Sequence, residues 1–347
     1  MPIQPLKINF TSIQSMIYNK VCIVGAGAIG GWLGAGLARA GCAVSFLARG
    51  ETLTALQTQG LKLQSNGQTE QTHAVQASHS ATELGVQDLV IIAVKAPALR
   101  EVAQQIAPLL GKNTVVLTAM NGVPWWFLQG FGGSLANQSL SSVDATGEIA
   151  AAIPATHIIG GVVHASCSVA SPGVIRHAFG NKMIVGEPSG QPTGQVTPRV
   201  AALAALLEKA GFEAPIAGQI QREIWFKLWG NMTMNPVSAI TGATSSQVLD
   251  DELVRGFCSS VMLEAKEIGS RLGIPIDQQP EDRHAVTRKL GSFKTSMLQD
   301  VEAGKAVELD ALVGAVKELG QLTDVATPYT DALFGLARLH ARVHGLY

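Results

Sequence analysis

The chain has 347 residues, 47% hydrophobic and 15% charged, and its 25 Lys and Arg nearly cancel its 26 Asp and Glu for a formal net charge of −1. That length exceeds one ordinary domain and allows a large core, so two domains are expected. With no cluster of basic residues and no apolar run of about 18 residues, neither nucleic acid nor membrane is an expected partner.

Residues 1–19 (MPIQPLKINFTSIQSMIYN) lack the basic start and continuous apolar centre of a signal peptide. They read as a poorly ordered extension with Met16 as an alternative start, and the expected localisation is cytoplasmic. The four cysteines, Cys22, Cys42, Cys167 and Cys258, have no CxxC spacing and read as small buried hydrophobes.

Lys20–Val24 (KVCIV) is a short apolar run that leads into GAGAIGG and then a helical WLGAGLARAG ending at Gly41. A second strand is expected over Ala43–Ala48. Gly25, Gly27 and Gly30 thus form a G-x-G-x-x-G inside a strand-turn-helix-strand unit, with Ala26, Ala28 and Ile29 between them. Gly25 permits the tight turn, Gly27 lets backbone approach a pyrophosphate, and Gly30 lets the helix pack closely. The helix N-terminus then offers free N–H groups to the phosphates.

Arg49 follows the second strand, where an acid would bind the adenosine ribose and repel a 2′-phosphate. A guanidinium there favours NADP(H) over NAD(H), with Glu51 two residues on able to blunt the preference. Further strands are expected over Asp88–Val94, Val115–Thr118 and Ile158–Val163, giving a parallel doubly wound sheet. Lys95 and Asn121 lie just past strand ends, where such sheets bind ligands, although Asn121-Gly122 is also a common turn pair. Trp125 and Trp126 either pack against the neighbouring domain or wall the cleft. Gly186–Pro198 reads as a surface loop before a helix at Arg199–Ala210.

From about Gln219 the pattern is helical, with segments over Leu249–Leu272, Arg283–Ala303 and Val307–Leu322. The organisation read from the sequence is an α/β Rossmann-type dinucleotide-binding domain over 20–217 and an all-α domain over 218–347. His340 and His344 have the spacing of a metal pair but no third ligand, so no metal site is expected.

The helical half opens on Arg222–Gly242, REIWFKLWGNMTMNPVSAITG. At about 100° per residue, Lys227, Asn231 and Asn235 fall on one narrow stripe, while Trp225, Phe226, Leu228, Trp229, Met232 and Met234 cover the other faces. A lysine on so apolar a helix needs a partner, a wet cleft or a substrate. Pro236 removes a backbone donor directly after Asn235. Ser296 in KTSMLQDVEAG and Glu308 at the start of VELDALVGAV could join the same site. On spacing alone they are a helix-surface hydroxyl and an acid at a helix N-terminus.

GAGAIGG, Arg49, AVKAP, MNGVPWW, EIWFKLWGNMTMNPVSAIT and KTSMLQDVEAGKAVELD, in this order, resemble the ketopantoate reductase family from about Val21 to beyond Ala337. The resemblance implies reduction of 2-dehydropantoate to pantoate with NADPH. Lys227 would be the catalytic lysine, Asn231, Asn235 and Ser296 substrate ligands, and Arg49 and Lys95 cofactor contacts. Asn121 would stand where cofactor and substrate meet, and Glu308 near the nicotinamide end. An ordinary lysine pKa near 10.4 would leave Lys227 protonated and able to act as an acid.

Family members often carry one more substrate-binding asparagine past the Asn-Pro pair, whereas Thr241–Ser246 offers only Thr and Ser in that role. Reduction of another 2-oxo acid therefore stays open, as does a non-catalytic NADPH sensor, which would have no need of Lys227. The expected partner is a small 2-oxo acid, and a homodimer is expected from how helical substrate domains pair.

Overall fold

The computed structural model of the protein describes residues 18–65, 71–190 and 195–347. Tertiary contacts divide the chain into two compact units. One comprises the residues up to Met120 with Glu148–Ile220, the other Asn121–Gly147 with Gln221–Tyr347. The N-terminal extension up to residue 17 lies outside the described residues. Tyr18 is buried, and its hydroxyl donates to the Arg199 carbonyl oxygen at 3.0 Å.

The first unit contains, in chain order, β1 (Lys20–Val24), α1 (Ala28–Arg39), β2 (Ala43–Leu47), α2 (Gly50–Gln59), β3 (Leu61–Ser65), β4 (Gln71–His73), β5 (Gln76–Ser78) and α3 (Ala81–Leu84). Then come β6 (Leu89–Ile92), α4 (Leu99–Gln105), β7 (Val115–Thr118), α5 (Glu148–Ala152), β8 (Ile158–Ser171), β9 (Val174–Gly186) and α6 (Pro198–Lys209). The nine strands form one sheet in the order β4-β3-β9-β8-β7-β6-β1-β2-β5. From β5 through β8 the neighbours are all parallel, as alternating strands and helices predict. Every residue of β6 and β7 is buried, the signature of strands covered on both faces.

The sheet is mixed, not wholly parallel. The strand expected to end at Val163 continues to Ser171, turns through Gly173 at φ 75°, and pairs antiparallel with β9. β4 is antiparallel to β3. The outer parts of β8 and β9 are largely exposed, so their side chains follow no apolar alternation and periodicity does not reveal β9. Just past β9, Glu187 pairs with Arg199 in the first turn of α6 and accepts from the Thr197 hydroxyl at 2.5 Å. Thr197 in turn caps α6 at the Val200 N–H.

The second unit is helical: α7 (Ile220–Thr241), α8 (Ser245–Asp250), α9 (Glu252–Arg271), α10 (Pro280–Lys289), α11 (Ser296–Glu302), a π-helical turn at Asp310–Gly314, α12 (Ala315–Leu322) and α13 (Pro328–Val343). α7 runs through Pro236 without a break. It is anchored to α9 by two fully buried indoles, Trp225 donating to the Ala265 carbonyl oxygen at 3.1 Å and Trp229 to that of Met262 at 2.7 Å. Such buried N–H groups need partners, and these two fix the rotation of α7 about its axis.

Two expected helices are each divided. Leu249–Leu272 is interrupted at Asp251, whose carboxylate accepts from the N–H groups of Leu253 and Val254 at 3.0 Å and so starts α9 afresh. Arg283–Ala303 is interrupted by Gly291 at φ 78° and by Thr295, which caps the Leu298 N–H at 3.2 Å. Trp125 and Trp126 are buried and belong to the helical unit.

Candidate active site

In the first unit the glycine turn has the geometry its sequence predicts. Gly25 sits at φ 99°, and a Cβ there would come 2.7 Å from Val94 Cγ1 and 3.1 Å from the Ala93 carbonyl. At Gly30 a Cβ would fall 2.0 Å from the Gly25 carbonyl oxygen, so only glycine lets α1 close on the turn. At Gly27, by contrast, an added Cβ meets nothing within 4 Å. Gly27 is the residue before α1, and no side chain caps the N–H groups at the start of that helix. Crowding behind the turn and room before it fit a pyrophosphate.

Arg49 directly precedes α2 at the end of the β2 connection, is largely exposed, and pairs with Glu101 of α4. Lys95 is half-buried just beyond β6, at the start of a short 3-10 turn. Both stand at the C-terminal ends of parallel strands, where open α/β sheets receive ligands.

The second unit gathers the remaining candidates around α7. Lys227 is half-buried and its ammonium donates to Asn121 Oδ1 at 2.8 Å. Asn121 is held by its neighbour: Gly122, at φ 81°, lies so close to the π-helical turn that a Cβ would be 2.6 Å from the Ala311 carbonyl oxygen. That same oxygen accepts from the Val123 N–H at 2.8 Å. Asn235 is buried and donates to Ser296 Oγ at 3.4 Å, while Asn231 is half-buried one turn before it. Ser296 is the first residue of α11, and buried Glu308 immediately precedes the next helical turn.

The Lys227 pKa is not the ordinary value expected from sequence. Burial lowers it to about 8, opposed by the Glu308 carboxylate, which raises it, and assisted by the Arg283 guanidinium, which lowers it. Lys227 thus stays roughly nine-tenths protonated at pH 7, yet releases its proton far more readily than a surface lysine. A fixed, desolvated ammonium with an amide on one side and paired polar side chains along its helix can stabilise charge growing on a bound oxygen and then protonate it.

The chain is similar to known proteins along nearly its whole length. Residues 21–190 match the family described as "Ketopantoate reductase PanE/ApbA", and residues 219–341 match its C-terminal partner, "Ketopantoate reductase PanE/ApbA C terminal". The chain belongs to the ketopantoate reductase family. A 2-dehydropantoate 2-reductase from Mesorhizobium japonicum is 46% identical over 329 residues, covering 94% of this chain and 99% of that one. A crystal structure of a candidate ketopantoate reductase from Ralstonia solanacearum MolK2 is 56% identical with a TM-score of 0.91, covering 95% and 100% of the two chains. A 2-dehydropantoate 2-reductase structure from Methylococcus capsulatus is 26% identical with a TM-score of 0.78 over 93% and 97%.

Within this family the Thr241–Ser246 departure acquires a structural description. The Thr241 hydroxyl donates back to the Val237 carbonyl oxygen at 2.7 Å, and the buried Ser245 hydroxyl is held between the Gly291 carbonyl and the Phe293 N–H. Both hydroxyls are spent on local structure rather than offered to a ligand. Arg283, which bears on Lys227, is not evident from spacing in the sequence. Its signal is indirect: Gly230 interrupts an otherwise bulky buried helix, which points to something packed close against it.

Proposed function

We propose that the protein catalyses the NADPH-dependent reduction of 2-dehydropantoate to pantoate in the cytoplasm, a step towards pantothenate and coenzyme A. The observation that carries this reading is the Lys227 ammonium on α7 donating to Asn121 Oδ1 at 2.8 Å, in surroundings whose burial lowers its pKa. The names of the relatives supply the substrate. Gly25, Ala26, Gly27, Ala28, Ile29 and Gly30 would hold the pyrophosphate against α1. Arg49 would take the 2′-phosphate, and Lys95, Asn121 and Glu308 would line the remainder of the dinucleotide.

NADPH held by the glycine turn, Arg49 and Lys95 would supply the hydride for the new C–H bond at the ketone carbon and be left as NADP+. The π electrons of the C=O bond move onto oxygen, where Lys227 first donates a hydrogen bond and then its proton, leaving a neutral amine that water reprotonates. Asn121 keeps the ammonium aimed during that transfer. Asn231, Asn235 and Ser296 would orient the carboxylate and hydroxyl of the substrate.

Two measurements bear on this reading. Reduced-nicotinamide oxidation across a panel of 2-oxo acids should give the highest kcat/KM with ketopantoate; another 2-oxo acid winning by tenfold or more would move the substrate assignment. Glu308→Gln removes the carboxylate that raises the Lys227 pKa. The alkaline fall in kcat/KM should therefore begin at lower pH in that variant, and an unmoved limb would show that Glu308 does not act on the proton donor.

A further inference from the structure

Arg283, on α10, presents a guanidinium to α7 without an anionic partner. Its Nε is fully enclosed and has no hydrogen-bond partner, and among the described residues no carboxylate forms an ion pair with it. Its Cζ lies 5.4 Å from the centroid of the Phe226 ring. The group rests directly on Gly230, where a Cβ would fall 2.8 Å from Nε and 3.2 Å from one terminal nitrogen. Gly230 has no positive φ to explain it, and a glycine inside a helix costs about 1 kcal/mol relative to alanine. The clearance it provides is the clearance the guanidinium occupies. Arg283 is half-buried, and a cation withdrawn even partly from water is costly to keep without a partner; this one also interacts electrostatically with a second cation, Lys227. Glu308 bears on Lys227, whereas among the described residues no carboxylate forms an ion pair with Arg283.

We propose that Arg283 is a substrate-binding residue of this enzyme, ion-pairing with the carboxylate of the 2-oxo acid and joining the amides of α7 in setting specificity for an anion. The proposal rests on the reductase reading above. In a 2-oxo acid the carboxylate is bonded to the carbon whose oxygen Lys227 protonates, so a cation beside Lys227 is within its reach. A guanidinium suits that carboxylate because its planar fork can form two parallel charge-assisted hydrogen bonds. It also supplies an anion-binding group in a chain whose Thr241 and Ser245 hydroxyls are engaged elsewhere.

The test uses the whole enzyme with ketopantoate and with its neutral carboxamide. Arg283→Met keeps an unbranched apolar stem and removes the charge, with the guanidinium that lies over Phe226. It should raise KM for the acid by roughly 10- to 100-fold, leave KM for the carboxamide and for NADPH unchanged, and leave Tm unchanged or higher. Gly230→Ala, which crowds the guanidinium out while keeping its charge, should show the same acid-selective loss, and Arg283→Lys should restore part of it. Equal losses on acid and carboxamide, or a lowered Tm with equal losses, would mean that Arg283 is only a clamp between α7 and α10. If the wild-type enzyme does not turn over ketopantoate, the reductase assignment fails separately. Oxamate binding followed by tryptophan fluorescence then decides the role of Arg283: weaker binding in Arg283→Met supports it and equal binding overturns it.

Discussion

Lys227→Ala is expected to lower kcat for ketopantoate reduction by roughly a hundredfold or more, because removal of one preorganised donor from a developing oxyanion typically costs about 3 kcal/mol. The affinity for NADPH should change little, since the glycine turn and Arg49 proposed to hold its phosphates are left intact by the substitution. Lys227→Arg sharpens the result. It keeps a cation on α7 but cannot give up a proton at neutral pH, so activity retained in Lys227→Arg would mean that charge, and not proton donation, is what the residue supplies. Steady-state kinetics together with NADPH titration of each variant separates these outcomes, and an active Lys227→Ala would remove the lysine from the mechanism.

Arg49→Ala should raise KM for NADPH by roughly 30- to 100-fold while altering KM for NADH by less than about threefold, the difference being a charge-assisted contact to the 2′-phosphate. Arg49 is paired with Glu101 in the structure, but both side chains are substantially exposed. Exposed ion pairs of this kind contribute little, so a phosphate can displace the carboxylate. Equal losses with the two cofactors would show that Arg49 does not read the phosphate.

How much of this was legible in the sequence varies with the physics of each part. The glycine turn was readable because its requirements are steric and local: Gly25 and Gly30 are crowded at 2.7 and 2.0 Å, and no other residue meets those demands. The stripe of Lys227, Asn231 and Asn235 was readable because helical periodicity alone places it. Contacts between distant segments were not. Nothing in the spacing announces that Asn121 meets Lys227 across 106 residues, that Ser296 meets Asn235, or that Arg283 packs on Gly230. The lowered Lys227 pKa is not legible in the sequence for the same reason, since burial and neighbouring charges are tertiary properties. The β8–β9 hairpin escaped detection because its outer half is exposed and needs no apolar face.

The pH dependence of kcat/KM for ketopantoate reduction, measured with NADPH, tests the role of Lys227 most directly. In the proposed reaction the proton comes from Lys227, so the rate should be level below its pKa and fall about tenfold per pH unit above it, with the bend near pH 8. A profile that stays level to about pH 10, the range of an unperturbed lysine, would contradict the assignment of Lys227 as a desolvated proton donor.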